Sequence, residues 1–394
     1  MKSSSPWLLK AATSLKLTIA CLVAAMVLVF VGTMAQVDMG LHEVQTRYFQ
    51  SWLLWWHPFG PEGFRIPVFA GGHLIGAVML ANLILMQVFR FPRTWRAAGL
   101  HLIHAGILVI LLGGLLTDLF SVESRMEIRE GETKNYSEDL LRMELAVVDV
   151  TNPTAEQVIA IPEGRLKTGE VVGHPKLPFR IVVKQYFRNS RVAALGNGET
   201  PAANRGIGAQ ATVKEQPHAT GLNERDMPSA LIEIEQPDAP EEKSPSASLG
   251  TWMVSSWLGQ PQTFALGGRK WTLALRPTRY YKPYSLTLKK FTHDRYPGTG
   301  IAKNFASDIR LRDPEHSVDR NVVIFMNNPL RYQGETFYQS GFGGNDTVTI
   351  LQVVRNPSVF APYIGCVIAC VGMMFQFGIG LWRFSNRRAA ESNA

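Results

Sequence analysis

The sequence predicts an integral membrane protein: four transmembrane α-helices plus a large external all-β domain inserted between helices three and four. Three observations carry that prediction. Four apolar runs, 15–35, 67–89, 97–120 and 359–382, can each cross about 30 Å of hydrocarbon at 1.5 Å per residue. Residues 121–358 hold no further run of that kind and instead carry short segments rich in β-branched and aromatic residues. Basic residues gather at one set of span ends. The near-zero mean hydropathy of this 394-residue chain is thus the average of two unlike parts.

Charge sets the expected orientation. Lys2, Lys10 and Lys16 flank the first run, Arg90, Arg93 and Arg96 join the second to the third, and Arg383, Arg387 and Arg388 follow the fourth. Those nine basic residues face one acid, Glu391, which leaves +8, equal to the formal net charge of the chain. The excess is a topology signal rather than a footprint for nucleic acid, which is not an expected partner. The N-terminal segment 1–14, the connection 90–96 and the tail 383–394 are therefore expected in the cytoplasm, with the loop 36–66 and the segment 121–358 outside. The first run is too long for a signal-peptide core and a second span follows it, so it reads as a retained helix.

In the outer loop, Phe49, Trp52, Trp55 and Trp56 form a short aromatic stretch suited to the lipid interface, ending at His57. Span two brings Gly71, Gly72 and Gly76, small enough for close helix approach, with His73 among them. Span three is apolar apart from His101, His104, Thr117 and Asp118. Nine segments beyond it read as strands: 143–150, 179–187, 230–236, 251–258, 270–276, 285–291, 320–327, 335–340 and 346–354. The intervals 189–228 and 236–248 break the pattern and are expected to be long loops. Cys21, Cys366 and Cys370 all fall within spans, so the β domain has no disulfide and must stand on its own core. CxxxC at 366–370 reads as small packing residues.

The histidines are the chemistry-bearing residues. An imidazole inside hydrocarbon is costly without a partner, and imidazole is a natural axial ligand of haem iron. His101 and His104 share one helix face, so they cannot grip a porphyrin from opposite sides. From the span limits, His73 and His104 are expected about 10 Å apart in depth, a poor fit to a single bis-histidine haem. A haem here would take one ligand from this chain and one from elsewhere. The plainer reading, histidines hydrogen-bonding between packed helices, stays open. No CxxCH, P-loop, HExxH, GxSxG or dinucleotide fingerprint occurs. His174, His218, His293 and His316 read as surface residues. The mixed basic and aromatic stretch 269–290 suits lipid headgroups or a protein-docking surface equally.

Three stretches resemble the ResB/CcsB family: SLKLTIACLVAAMVLVFVGTMAQ in span one, HLIHAGILVILLGGLLTDLFSVESRMEIREGE across span three, and NNPLRYQGETFYQSGF before the last span. The resemblance implies a subunit of the system II cytochrome c maturation machinery in a bacterial cytoplasmic membrane, with its β domain in the periplasm. Such a subunit acts with a CcsA-type membrane partner to carry haem b outward and present it to CxxCH apocytochromes c, with thiol-reducing proteins as further partners. It implies the short family form without a fused partner, and a transport and scaffold subunit of a shared synthase rather than a self-sufficient enzyme. On the family motif, His104 is the transmembrane haem ligand; the motif places neither His101 nor His73, which remain further haem-contact candidates. Two other classes stay open: a b-type haem electron-transfer protein, and a cofactor-free membrane-tethered β domain for envelope assembly.

Overall fold

The structure is a computed structural model that describes residues 7–56, 58, 63–153, 155–219, 225–236, 248–298 and 302–392. His57 and most of the interval 236–248 lie outside the described residues. The chain divides into two compact units. One comprises Met1–Ser121 and Asn356–Ala394; the other comprises Val122–Ala219 and Asn223–Arg355.

The first unit holds four helices long and apolar enough to span a membrane. A short helix, α1 (Trp7–Ala12), precedes α2 (Leu15–Met39), whose first turn is capped by the Ser14 hydroxyl accepting from the Lys16 amide. The first span thus runs four residues past the expected 35 and stops at Gly40, whose φ of 74° no ordinary side chain adopts comfortably. After α3 (Leu41–Val44) and a π-turn at Gln45–Phe49, the chain forms an antiparallel hairpin, β1 (Leu53–Trp56) with β2 (Ile66–Ala70). The second span, expected from 67, begins only with α4 (Gly72–Phe89). Pro67 sits opposite Trp55 beside a bulge, where a ladder donor can be missing, so its residues belong to the hairpin.

The aromatic stretch is therefore a turn and a strand, not one amphipathic segment. Phe49, Leu54 and Phe69 turn inward onto Leu28 and Ile75, while Trp52, Trp55 and Trp56 stay exposed. Gly71 and Gly72 serve this hairpin rather than a helix contact: a Cβ on either would run into the backbone of Ser51 or Phe49.

Helix α4 is pinned to the start of α2 by a buried amide. Asn82 Nδ2 donates to the Ala12 carbonyl (2.6 Å), and the Thr18 hydroxyl donates to Asn82 Oδ1 (2.7 Å). An amide in hydrocarbon must find such partners, and these sit at the break between α1 and α2. A 3₁₀ turn at Trp95–Ala97 leads into α5 (Ala98–Phe120), and α6 (Ala361–Ser392) closes the unit, running past the expected end at 382.

Helices α5 and α6 pack backbone to backbone. Gly99, Gly106 and Gly113 recur every seven residues on α5 and face Gly372, Gly365 and Ala361. A Cβ on Gly106 would lie 2.5 Å from the Gly365 carbonyl oxygen, and one on Gly99 2.7 Å from that of Gly372. Near the Val122 end of α5, Ser358 Oγ donates to the Gly113 carbonyl (2.9 Å) and shares a hydrogen bond with Thr117 (2.7 Å).

The second unit is all β. Its strands are β3 (Val122–Arg129), β4 (Thr133–Asp149), β5 (Gln157–Pro162), β6 (Val171–Val172), β7 (Arg180–Phe187), β8 (Ser190–Ala194), β9 (Ala211–Glu215) and β10 (Ser229–Glu235). There follow β11 (Ser248–Ser255), β12 (Gln262–Leu266), β13 (Arg269–Arg295), β14 (Ala302–Asp313), β15 (Val318–Phe325), β16 (Leu330–Tyr332), β17 (Glu335–Gly343) and β18 (Val348–Arg355). The main sheet runs β15-β14-β13-β4-β3-β18-β17-β16, with β12 added to β13 and β5 to β4; a second sheet runs β11-β10-β7-β6. Strand β13 organises both cores. Its first part packs Trp271 and Leu273 with Phe179, Ile181 and Ile232; its second packs Tyr284, Leu286 and Leu288 with Met126, Ile128 and Phe337.

Three expectations change here. Segments 270–276 and 285–291 are one strand: residues 276–281 of the intervening RPTRYYKPY pair with β4, with register shifts after Pro277 and after Tyr281. The interval 189–228 is not simply a loop, since β8 and β9 pair within it. The basic stretch is largely neutralised: β4 supplies Glu144 to Arg276 (3.0 Å) and Glu138 to Arg279 (2.9 Å), and buried Lys282 donates to Glu335 (2.6 Å).

The NPLRYQGETFYQS motif forms a polar knot around Asp313. Gln333 and Gly334 turn the chain with φ of 46° and 76°. Tyr332 and Gln333 then both donate to buried Asp313, at 2.7 and 2.8 Å. Burial pushes the Asp313 carboxyl up, but hydrogen bonds from Tyr332 and His316 outweigh it and hold the group below the usual carboxylate range. Of the histidines expected at the surface, His293 is the exception. Its side chain is buried, with Nδ1 2.8 Å from Asp346 and Phe342 against the ring.

Candidate ligand site on the third span

His101 and His104 sit near the start of α5, beside the short connection from α4, and both rings meet Phe91. They differ in what their nitrogens do. His104 Nδ1 lies 2.8 Å from the Leu100 carbonyl, which can only accept, so Nδ1 carries the proton. The neutral ring then holds its lone pair on Nε2, which has no hydrogen-bond partner among the described residues. Phe91 meets this ring edge-on at 4.6 Å and fixes its plane. His101 is the reverse case. Its Nε2 donates to the Pro92 carbonyl (3.1 Å), which braces the connection and leaves only the nitrogen nearest the backbone. Gln87 donates to the His101 carbonyl (3.0 Å) and ties α4 to the same turn.

His73 is elsewhere. Because α4 begins at Gly72, His73 occupies the first turn, not a position inside the span as expected from a start at 67. Its Nε2 donates to Asp118 Oδ2 (2.8 Å), Gln50 Nε2 donates to Asp118 Oδ1 (2.9 Å), and the Trp52 ring lies 6.0 Å from the His73 ring. Asp118 is fourteen residues from His104 on α5, so the two imidazoles are about 21 Å apart along the helix, twice the depth difference read from the sequence. The structure therefore groups His101 with His104 and separates His73 from both.

Asp118, Gln50, Gln87 and Phe91 belong to these two ends and were not assigned a role from the sequence. Asp118 was visible as the sole acid of its span, but its pairing with His73 depends on where α4 starts. Among the described residues, no group of three or more His, Cys, Asp or Glu side chains is set to hold a metal ion. With Nε2 of the neighbouring His101 engaged by the Pro92 carbonyl, an iron here would find one imidazole, that of His104. The donor is suited to it: an imidazole whose second nitrogen is fixed by a carbonyl, as metal-binding histidines usually are.

The sequence profile of the ResB-like family matches residues 268–350, which run from β13 into β18 and include the Asp313 knot. Protein NrfI of Wolinella succinogenes is 27% identical over 320 residues, covering 81% of this chain. The chain spans 31% of the length of that relative. Helix motif, strand motif and these two matches point the same way: the chain is similar to the ResB-like family over residues 268–350 and to NrfI over most of its own length.

Proposed function

We propose that this chain is a membrane subunit of cytochrome c maturation that holds haem b in transit through His104. The observation that supports the reading is the free Nε2 of His104, oriented by the Leu100 carbonyl and presented on a half-exposed helix face. An unpartnered imidazole nitrogen in hydrocarbon is costly to keep unless it has a ligand. One imidazole supplies one axial position, so the opposite ligand comes from a CcsA-type membrane partner. Haem brings the iron and the vinyl groups to which apocytochrome CxxCH thiols attach; thiol-reducing proteins keep those cysteines reduced.

This chain's residues bind and orient. Leu100 fixes the tautomer of His104, Phe91 its plane, and His101 the turn beneath it. The role assigned to the chain is transport and scaffolding, with no acid or base for thioether formation assigned among the described residues. Basic residues at the span ends support the orientation proposed: termini and the 90–97 connection in the cytoplasm, His104 toward the inner face, and the β domain in the periplasm of a bacterial inner membrane.

The test is co-expression with the partner and a c-type cytochrome. His104→Ala is expected to remove haem absorbance from the purified complex and lower cytochrome c yield at least tenfold, with His101→Ala intermediate. An unchanged yield in His104→Ala would return the chain to a cofactor-free β tether. The b-type electron-transfer reading needs a second imidazole at the depth of His104 on a different helix. The described residues offer His73, which is about 21 Å away along α5 with its Nε2 engaged.

A further inference from the structure

Helices α4 and α5 carry matching stripes. His73, Gly76, Leu80, Leu83 and Gln87 recur on α4 at spacings of three and four; Asp118, Gly114, Leu111, Ile107 and His104 do the same on α5 in the reverse sense. The helices are antiparallel neighbours, and hydrogen bonds and ring contacts join the stripes at both ends: His73 with Asp118 at one, Gln87 and Phe91 with His101 and His104 at the other. Their packing on one another is far sparser than that of α5 on α6.

Directly beneath the Asp118 end stand Gly76 and Gly114, one turn from His73 and Asp118 respectively. Both glycines are exposed, and outside its own helix turn neither has a heavy atom of the described residues within 4 Å of where a Cβ would sit. On the opposite face of α5, by contrast, α6 fills the space at Gly99, Gly106 and Gly113. The Gly113-Gly114 pair thus divides its roles: one glycine admits a neighbouring helix, the other leaves a gap.

We propose that Asp118, accepting from His73 and Gln50, is a latch that closes the outer end of an apolar slot between α4 and α5. Haem released from His104 leaves through that slot, past Gly76 and Gly114, when the latch opens. This rests on the reading of His104 given above. The latch suits the task because one carboxylate ties down two elements at once: Gln50 leads into the hairpin, and His73 begins α4. His73 and Asp118 are 27% and 30% exposed, so water can replace their mutual bond when it breaks. His73 itself is ill placed as a haem ligand. Its Nε2 is engaged by Asp118.

The full chain, co-expressed with its membrane partner and purified as a complex, allows the test. Gly114→Leu and Gly76→Leu fill the gap from opposite helices; Gly114→Ala serves as the mild control. Both leucine variants are expected to retain haem with an unchanged absorbance spectrum while cytochrome c yield falls at least tenfold, with Gly114→Ala near normal. Asp118→Ala is expected to lose haem during detergent washing at least fivefold faster than the parent. Normal yield in both leucine variants overturns the slot, as does joint loss of haem and yield in both. Unchanged haem retention in Asp118→Ala overturns the latch. His104→Ala reports separately: retained haem there sinks the ligand reading, whatever the glycine variants do.

Discussion

Helix α5 has two faces that pack in opposite ways. Toward α6 it offers glycines at every seventh position, and the two backbones meet along the length of the unit. Toward α4 it keeps its histidines and its one acid, and polar contact is confined to the two ends. Lipid tails are as apolar as leucine, so neither face gains from a hydrophobic drive inside the bilayer; close contact has to come from shape. The α6 face therefore reads as the fixed spine of the unit, and the α4 face as the side that can part. Helix α4 repeats the pattern, with Asn82 held at α2 and Gly76 left open.

The comparison breaks first at Gly106. A leucine there must displace backbone of Gly365 and Ala369, not a flexible side-chain tip, and neither helix can yield locally. Overpacking of this kind costs about 3 kcal/mol or more. Gly106→Leu is expected to remove most folded protein, seen as a collapsed detergent-soluble yield and a large drop in the thermal midpoint. A near-parental midpoint would mean that α5 and α6 do not need their backbone contact.

A smaller effect is expected at Asn82. Replacing it with leucine keeps the volume but strips the Ala12 carbonyl and the Thr18 hydroxyl of their partner. The cost is about 1–2 kcal/mol, the scale of a lost polar contact in a membrane protein. Thermal scans of Asn82→Leu should show a midpoint lowered by a few degrees at intact yield. A stabilised variant would mean that α4 is not pinned at α2, and its two faces would no longer differ.

How much of this was legible in the sequence follows from which interactions are local. The four spans and the basic ends could be read because each depends on a run of residues, and His104 stood out only as a polar residue within such a run. The start of α4 could not. Pro67 and the apolar residues around it satisfy a span window, and only pairing with Leu53–Trp56 turns them into a strand. That one displacement carried His73 to the helix end and hid its bond to Asp118. In the β domain, segments with clean alternation were visible, whereas β14 (AKNFASDIRLRD) was not, since its polar residues meet partners from other strands. Ser307, for one, bonds Thr349 and Gln339. Arg276 and Arg279 looked like a basic surface for the same reason: their acids lie on β4, more than a hundred residues earlier.

The smallest expected effect is the one that separates the faces most cleanly. Gly114→Leu puts the same side chain on the same helix as Gly106→Leu, but where a Cβ has no neighbour within 4 Å among the described residues. Leucine is a better helix former than glycine by about 0.8 kcal/mol, so filling the gap should leave stability unchanged or raise it by up to that amount. Thermal scans of the purified protein would then show Gly114→Leu at or slightly above the parent, with Gly106→Leu far below. If both variants fell together, α4 would be as tightly seated on α5 as α6 is, and no side of α5 would be free to part. If Gly114→Leu alone stays folded, a loss of cytochrome c in that variant cannot be laid to instability and must come from the space it fills.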